Sequence, residues 1–333
     1  MDHRQSIATI APELTTMRGM ILILIATMVA VCSSMGFQPP GPEERLQAIG
    51  PTNGLPALLQ RALRLDDRFQ PIPAPAPGDW LAVHREPGQT FEQFRLSHPN
   101  GPDAKRRIIY LQPLGAFTPE QSPSLGKLRE YAAAFFQMEV KVLPPIGLSA
   151  SGFTTRIHSV TGRRQILTED VLNWLKERLA ADAFCLVAIT MEDLYPAPSW
   201  NFVFGQASLT DRVAVYSFAR YDPAFYGEPR GKDYQELLLR RSMKVLTHET
   251  GHIFGLAHCI YFACAMNGSN HLLESDRRPL HLCPVCLRKL QFSIGFDVVK
   301  RYEELAKFAQ QAGFADEADW LMRRVKEMQA PSH

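Results

Sequence analysis

The run T-H-E-T-G-H-I-F-G-L-A-H-C, from Thr247 to Cys259, constrains this chain more than any other part of it. His248 and His252 are four residues apart. On an α-helix that spacing stacks both imidazoles on one face, about 6 Å apart, where one Zn²⁺ can take both. Residues 237–253 are expected to supply the helix, with Leu238, Val245, Leu246 and Ile253 to pack it. Glu249 is rotated by about 100° from His248, so it points beside the metal, where a base for a metal-bound water belongs. Gly255 ends the helix, because glycine takes a positive φ at no steric cost. The turn brings His258 back as third ligand. Three neutral imidazoles leave a fourth position for water, whose pKa Zn²⁺ lowers toward about 7. The competing reading is a helix with satisfied core imidazoles. With 10 His and 21 Gly in 333 residues, adding Gly255 and His258 makes a chance match rarer by a factor of about 0.002.

A second cluster follows directly: Cys259-x₄-Cys264-x₁₈-Cys283-x₂-Cys286. Two cysteine pairs at this spacing read as a closed tetrahedral Cys₄ zinc site, which has no open position and holds structure. Two disulfides are the alternative, favoured if the chain is exported. His271 and His281 between the pairs read as surface histidines. Cys32 and Cys185 are strays.

Around this centre the chain reads as α/β. Strands are expected at 107–111, 139–143, 184–190, 201–204 and 212–218, the last two separated by a turn. Helices are expected at 125–138 and 168–179, the second opened by Thr168-Glu169-Asp170 as N-cap and acidic first turn. Strands alternating with helices, then helices alone, suggest an α/β layer with a helical tail. Twelve of the 25 prolines fall in residues 1–100. Q-P-P-G-P and P-I-P-A-P-A-P-G cannot be helix interior or central strand. Residues 37–78 therefore read as a semi-rigid linker with one short helix near 55–65. The expected division is 1–36, a signal peptide or membrane anchor; 37–104, a proline-rich linker and extension; 105–258, the α/β catalytic part; and 259–333, a smaller C-terminal part.

These residues resemble the archaemetzincins, a branch of the metzincin zinc peptidases. The signature H-E-x-x-H-x-x-G-x-x-H-C-x₄-C-x-M…C-x-x-C is present in full from His248 to Cys286. Asp193-Leu194-Tyr195 and Asn201-Phe202-Val203-Phe204-Gly205 are similar to strand segments of that family. Asp79-Trp80-Leu81 with Gln89-Thr90-Phe91-Glu92 is similar to the extension of its longer members. The resemblance covers residues 79–333. It implies His248, His252 and His258 as catalytic zinc ligands, Glu249 as general base, Cys259, Cys264, Cys283 and Cys286 as structural zinc ligands, and Met266 as the methionine of the turn flooring the site. It implies a mixed sheet with helices above a cleft and a smaller, mainly helical C-terminal subdomain below. Phe204, Gly205, Gln206 and Ala207 would form the edge strand along which a peptide lies antiparallel.

The function expected is a zinc-dependent metallopeptidase with two Zn²⁺, one catalytic and one structural, acting as a monomer on peptide or protein substrates. The alternative is a non-catalytic zinc-stabilised interaction protein, against which Glu249 stands, since metal binding alone needs no such carboxylate. Thirty-six basic against 34 acidic residues give no field for nucleic acid. Arg277-Arg278 and Arg288-Lys289 read as a solvated face. Tyr216, Tyr221 and Tyr226 are unranked candidates for a second oxyanion donor. At the N-terminus, Arg18, the charge-free residues 19–31 and the exit Ser34-Met35-Gly36 read as an export signal or membrane tether. A cytoplasmic location is the alternative, since thiols stay reduced there.

Overall fold

The computed structural model describes residues 36–330; the export or anchor segment read at the N-terminus lies, up to residue 35, outside them. Among the described residues no helix is long and apolar enough to cross a membrane.

Among the described residues the N-terminal part carries four short helices: α1 (Pro42–Ile49), α2 (Ala57–Leu63), α3 (Trp80–Val83) and α4 (Phe91–Leu96). The α/β part follows with β1 (Ile108–Leu114), α5 (Leu125–Phe136), β2 (Glu139–Val142), β3 (Thr155–Ile157), β4 (Arg164–Leu167), α6 (Thr168–Lys176), β5 (Ala183–Thr190), β6 (Asp193–Tyr195), β7 (Gly205–Ser208) and β8 (Val213–Ser217). The long helix α7 (Tyr234–Ile253) leads to α8 (Leu272–Arg277), α9 (Pro284–Ile294), α10 (Val298–Ala312) and α11 (Ala315–Gln329). The α/β fold class expected from the sequence is the one observed, with a mainly helical C-terminal part that contains the cysteine cluster.

Five strands make one mixed sheet in the order β2-β1-β5-β8-β7. The first four run parallel, and β7 closes the series antiparallel to β8. β5 is buried at all eight residues, as a central parallel strand covered on both faces must be. One face packs against α5 and α7 through residues such as Leu128, Phe135, Leu238 and Leu246. The other face packs against α6 and the small sheet β3-β4-β6, burying Ile166, Val171, Leu175 and Leu194. Phe254, just past α7, lies fully buried between Phe184 and Phe136, with ring centroids at 4.2 and 5.4 Å. The end of the long helix is therefore clamped to the sheet.

The structure differs from the sequence reading in several places. Residues 201–204 are not a strand: Val203 makes a single bridge to Leu194, and regular pairing begins at Gly205. A side chain at Gly205 would meet the Tyr216 ring at 2.6 Å and the Val215 carbonyl at 2.9 Å, so pairing starts where the side chain vanishes. Thr168 does not cap α6; its hydroxyl donates to the Gln206 side-chain oxygen, with the Tyr195 carbonyl farther off at 3.4 Å. Residues 37–78 carry two helices, not the one read in a semi-rigid linker, and pack onto the core. Pro42 opens α1 at the position where its missing N–H costs nothing, and Ala48, Ile49, Leu59, Ala62, Leu63 and Phe69 are buried in the main core.

Arg288 holds that segment in place, Lys289 holds the loop at Gln89, and both are themselves buried. Arg288 donates to the carbonyls of Ile49 and Pro51 and lies 3.8 Å over the Phe91 ring. Lys289 donates to the Gln89 carbonyl. The basic pair read as a solvated face is an internal clasp. Arg288→Ala should lower unfolding free energy in urea by about 2–4 kcal/mol, since it leaves two carbonyls without a charged donor. It should also open residues 37–66 to limited proteolysis. A variant as stable and as resistant as the parent would show the clasp to be idle.

Candidate metal centre

Helix α7 places His248 and His252 on one face, with Glu249 beside them, and all three are buried. The helix stops at Phe254. Gly255 has a φ of +87°, and a side chain there would press on Pro99 at 3.2 Å. Asn100 donates its amide to the Ile253 carbonyl and so closes the helix end. Gln89 then grips the returning loop on both sides. Its amide donates to the Gly255 carbonyl, and its oxygen accepts from the Ala257 N–H. The result brings His258 within reach: ligand atoms of the three histidines lie within 4.8 Å of one another.

The hydrogen bonds fix each ring's tautomer. Nδ1 of His248 faces the Ala265 carbonyl at 3.0 Å, Nδ1 of His252 the Leu256 carbonyl at 2.6 Å, and Nδ1 of His258 the Glu86 carboxylate at 2.8 Å. These oxygens only accept, so each Nδ1 carries the proton and each Nε2 is a bare lone pair. The Nε2 atoms of His248 and His252 are 3.1 Å apart. Two acceptors at that distance repel unless a cation lies between them. Burial pushes His252 down to about 3 and His248 well below its usual range, which keeps the rings in the neutral form that ligation requires. Among the described residues Oε2 of Glu249 is buried without a hydrogen-bond partner, and burial pushes this carboxyl up to about 8. Orphaned donor atoms around one point are what a divalent metal with an attached small ligand would satisfy, so the residues fit such a group.

The four cysteines form a second cluster, with sulfurs within 4.8 Å of one another. Cys259 and Cys283 sulfurs are 3.6 Å apart, far beyond an S–S bond of about 2.05 Å. All four are free and buried. Backbone N–H groups of Met266 and Cys283 donate to the Cys264 sulfur. The set could hold a tetrahedral ion. The segment 264–266 touches both clusters. Cys264 belongs to one, the Ala265 carbonyl orients His248, and the Met266 thioether packs against Gly251, where a Cβ would meet the sulfur at 2.7 Å.

The expected edge segment lies beside the histidines. β7 is the last strand of the sheet, and Phe204 lines the cleft while stacking on Tyr221 at 5.4 Å. Gly205 and Ala207 pair with Tyr216 and Ala214 of β8, and the Gln206 side chain accepts from Thr168. Of the three tyrosines, Tyr221 lines the cleft, Tyr216 is buried under it, and Tyr226 is half exposed outside its lining. The cavity itself measures about 30 Å³, room for one water-sized group.

Sequence reasoning passed over three residues that the structure brings here. Glu86 accepts from His258 and from the Trp80 indole N–H at 2.8 Å. Burial disfavours its charge, but the bonds from His258 and Trp80 hold the carboxyl below its usual value. Trp80 sets its ring edge against His258 at 5.0 Å and its plane on Gly268. Arg278, read as a surface charge, turns into the cleft. His281 is no surface histidine either: it stacks on Trp320 at 3.5 Å and bonds Glu317. His271 caps α8.

Residues 136–292 match the sequence profile of Peptidase family M54. The chain is 45% identical over 270 residues to Archaemetzincin-2 of Macaca fascicularis, covering 73% of this chain and 75% of that protein. The human Archaemetzincin-2 shows the same identity and coverage. The crystal structure of archaemetzincin from Methanopyrus kandleri matches with 33% identity and a TM-score of 0.45, covering 58% of this chain and 97% of that one.

Glu86→Ala should free the His258 ring to rotate and weaken zinc binding at the histidine set by about 10–100-fold. Chelator competition should detect this, with metal at the cysteine cluster unmoved. Equal loss from both sets would mean general unfolding, and no loss would remove Glu86 from the centre.

Proposed function

The chain belongs to the archaemetzincins, Peptidase family M54, and is therefore a zinc metallopeptidase acting on peptides or proteins; from that premise we propose that Glu249 is its general base, that His248, His252 and His258 hold the catalytic zinc, and that Cys259, Cys264, Cys283 and Cys286 hold a second, structural zinc. The convergence of three bare Nε2 atoms, two of them 3.1 Å apart, carries this reading.

Bound zinc supplies a Lewis acid that polarises the scissile carbonyl and acidifies water. Glu249, its Oε2 unpartnered and its charge disfavoured by burial, takes the proton of the attacking water. The same carboxyl then returns that proton to the leaving amine. Phe204 and β7 offer the strand edge along which the substrate backbone lies, so the scissile bond is held by main-chain pairing. Phe204, Trp80 and Tyr221 wall the cleft and limit water. Tyr221 is the tyrosine best placed to face the reacting carbonyl. Met266 and Ala265 floor the histidines and tie them to the cysteine cluster.

Glu249→Gln should keep zinc content and melting temperature while lowering kcat by about 10²–10⁴-fold. Near-normal turnover would take the proton transfer away from this residue. Metal analysis of the purified protein should give two zinc ions per chain. Cys283→Ser should lower that count to one, lower the melting temperature, and then loosen the histidine set through segment 264–266. One zinc in the parent, or a Cys283→Ser variant that melts like it, would overturn the structural assignment.

A further inference from the structure

We propose that Arg278 is a specificity-determining residue that binds a substrate carboxylate in the cleft, so that the enzyme selects peptides with an acidic side chain or a free C-terminal carboxylate next to the cleaved bond. The inference rests on the peptidase reading above and names the substrate class of the same site.

Arg278 lines the cleft together with His248 and Glu249, and its Nη1 lies 3.3 Å from Nδ1 of His248. Its head is held in place rather than swinging. Nη1 donates to the Asn267 carbonyl, and Nη2 donates to the Ser275 hydroxyl at 2.7 Å. Its Nε is buried and has no partner among the described residues. A guanidinium out of water normally finds a carboxylate, because an uncompensated buried charge is costly. Neighbouring arginines have done so: Arg241 pairs with Asp276 and Arg277 with Asp79. Among the described residues Arg278 has no carboxylate within 4.0 Å.

The acids around it are otherwise engaged. Asp276 takes two bonds from Arg241, and Asp79 takes Arg277. Glu274 accepts the backbone N–H groups of Trp80 and Asn270. Glu249 shares the cleft but makes no ion pair with Arg278. Ser269, His271 and Ser275 also line the cleft, together with the rings of Phe204 and Tyr221. A planar cation lining the cleft, with no carboxylate of its own, suits a small anionic group such as a carboxylate. Zinc bound beside it adds attraction of the same sign.

The test uses the zinc-loaded full chain with Glu249→Gln, so that bound peptides are not consumed. Three libraries of acetylated hexapeptides serve as probes: acidic at the centre with amidated ends, neutral with free C-terminal carboxylates, and neutral with amidated ends. Retention through ultrafiltration is read by mass spectrometry. At least one carboxylate library should be retained about tenfold or more above the neutral amides. Adding Arg278→Met should erase that preference while leaving neutral retention unchanged, and Arg278→Lys should keep part of it. Should Arg278→Met fail to fold, Arg278→Gln, which can still donate to Asn267, carries the same comparison. Enrichment of the acidic library marks a side-chain carboxylate; enrichment of the free-ended library marks the chain terminus. Equal retention of all three, no retention of any, or a preference that survives loss of the guanidinium overturns the proposal. Digestion by the unmodified enzyme separates the two readings. Cleavage indifferent to acids leaves the peptidase and removes the carboxylate site. Absence of cleavage with carboxylate binding intact does the reverse.

Discussion

Two neutral imidazole nitrogens facing each other at 3.1 Å, each with its lone pair inward, repel unless a cation lies between them. Their positions are set from outside the ring set. Each histidine is anchored through its other nitrogen to an oxygen: a carbonyl of the Met266 segment, a carbonyl of its own helix end, or a carboxylate from far upstream. The rest of the fold can be understood as what is needed to keep those three oxygens still. The sheet and Phe254 fix the end of α7. Gln89 fixes the loop after Gly255. The cysteine cluster fixes the segment that carries Ala265.

That last connection explains why two clusters of ligands stand side by side. Residues 264–266 contribute a sulfur to one cluster, a carbonyl to the other and a thioether to the helix between them. Cys259 follows His258 directly, and its N–H bonds the Met266 carbonyl at 2.8 Å. A displacement of one cluster therefore has no slack in which to dissipate before it reaches the other. Close packing of this kind transmits strain instead of absorbing it.

What the sequence disclosed follows the range of the interactions. His248, His252, Glu249, Gly255 and His258 sit within eleven residues, and helical geometry alone relates them. The buried strand β5 was legible from its unbroken apolar run, and the mainly helical C-terminal part from the family resemblance. Glu86, Gln89 and Arg278 were not legible as site residues, since Glu86 meets His258 across 172 positions and Gln89 meets Gly255 across 166. Nothing in a common residue type announces such a partner. The proline-rich segment misled for a different reason. Proline forbids a place inside a helix or ladder, but it does not forbid burial, and Pro42 starts the helix that the core covers. Arg288 and Lys289 misled because charge was read as exposure, whereas backbone carbonyls satisfy both inside.

The bond between Glu86 and His258 also bears on when the centre matures. Its carboxylate is synthesised early and its imidazole late, so the contact closes a loop of 172 positions. Closing so long a loop is a late event in folding, because its entropy is lost before the contact is gained. The finished histidine set thus reports that both ends of the domain have docked. A chain that leaves the ribosome with α7 formed but its N-terminal helices unplaced would present only two of three oriented imidazoles. The third imidazole is therefore oriented by a long-range tertiary contact rather than by the motif itself.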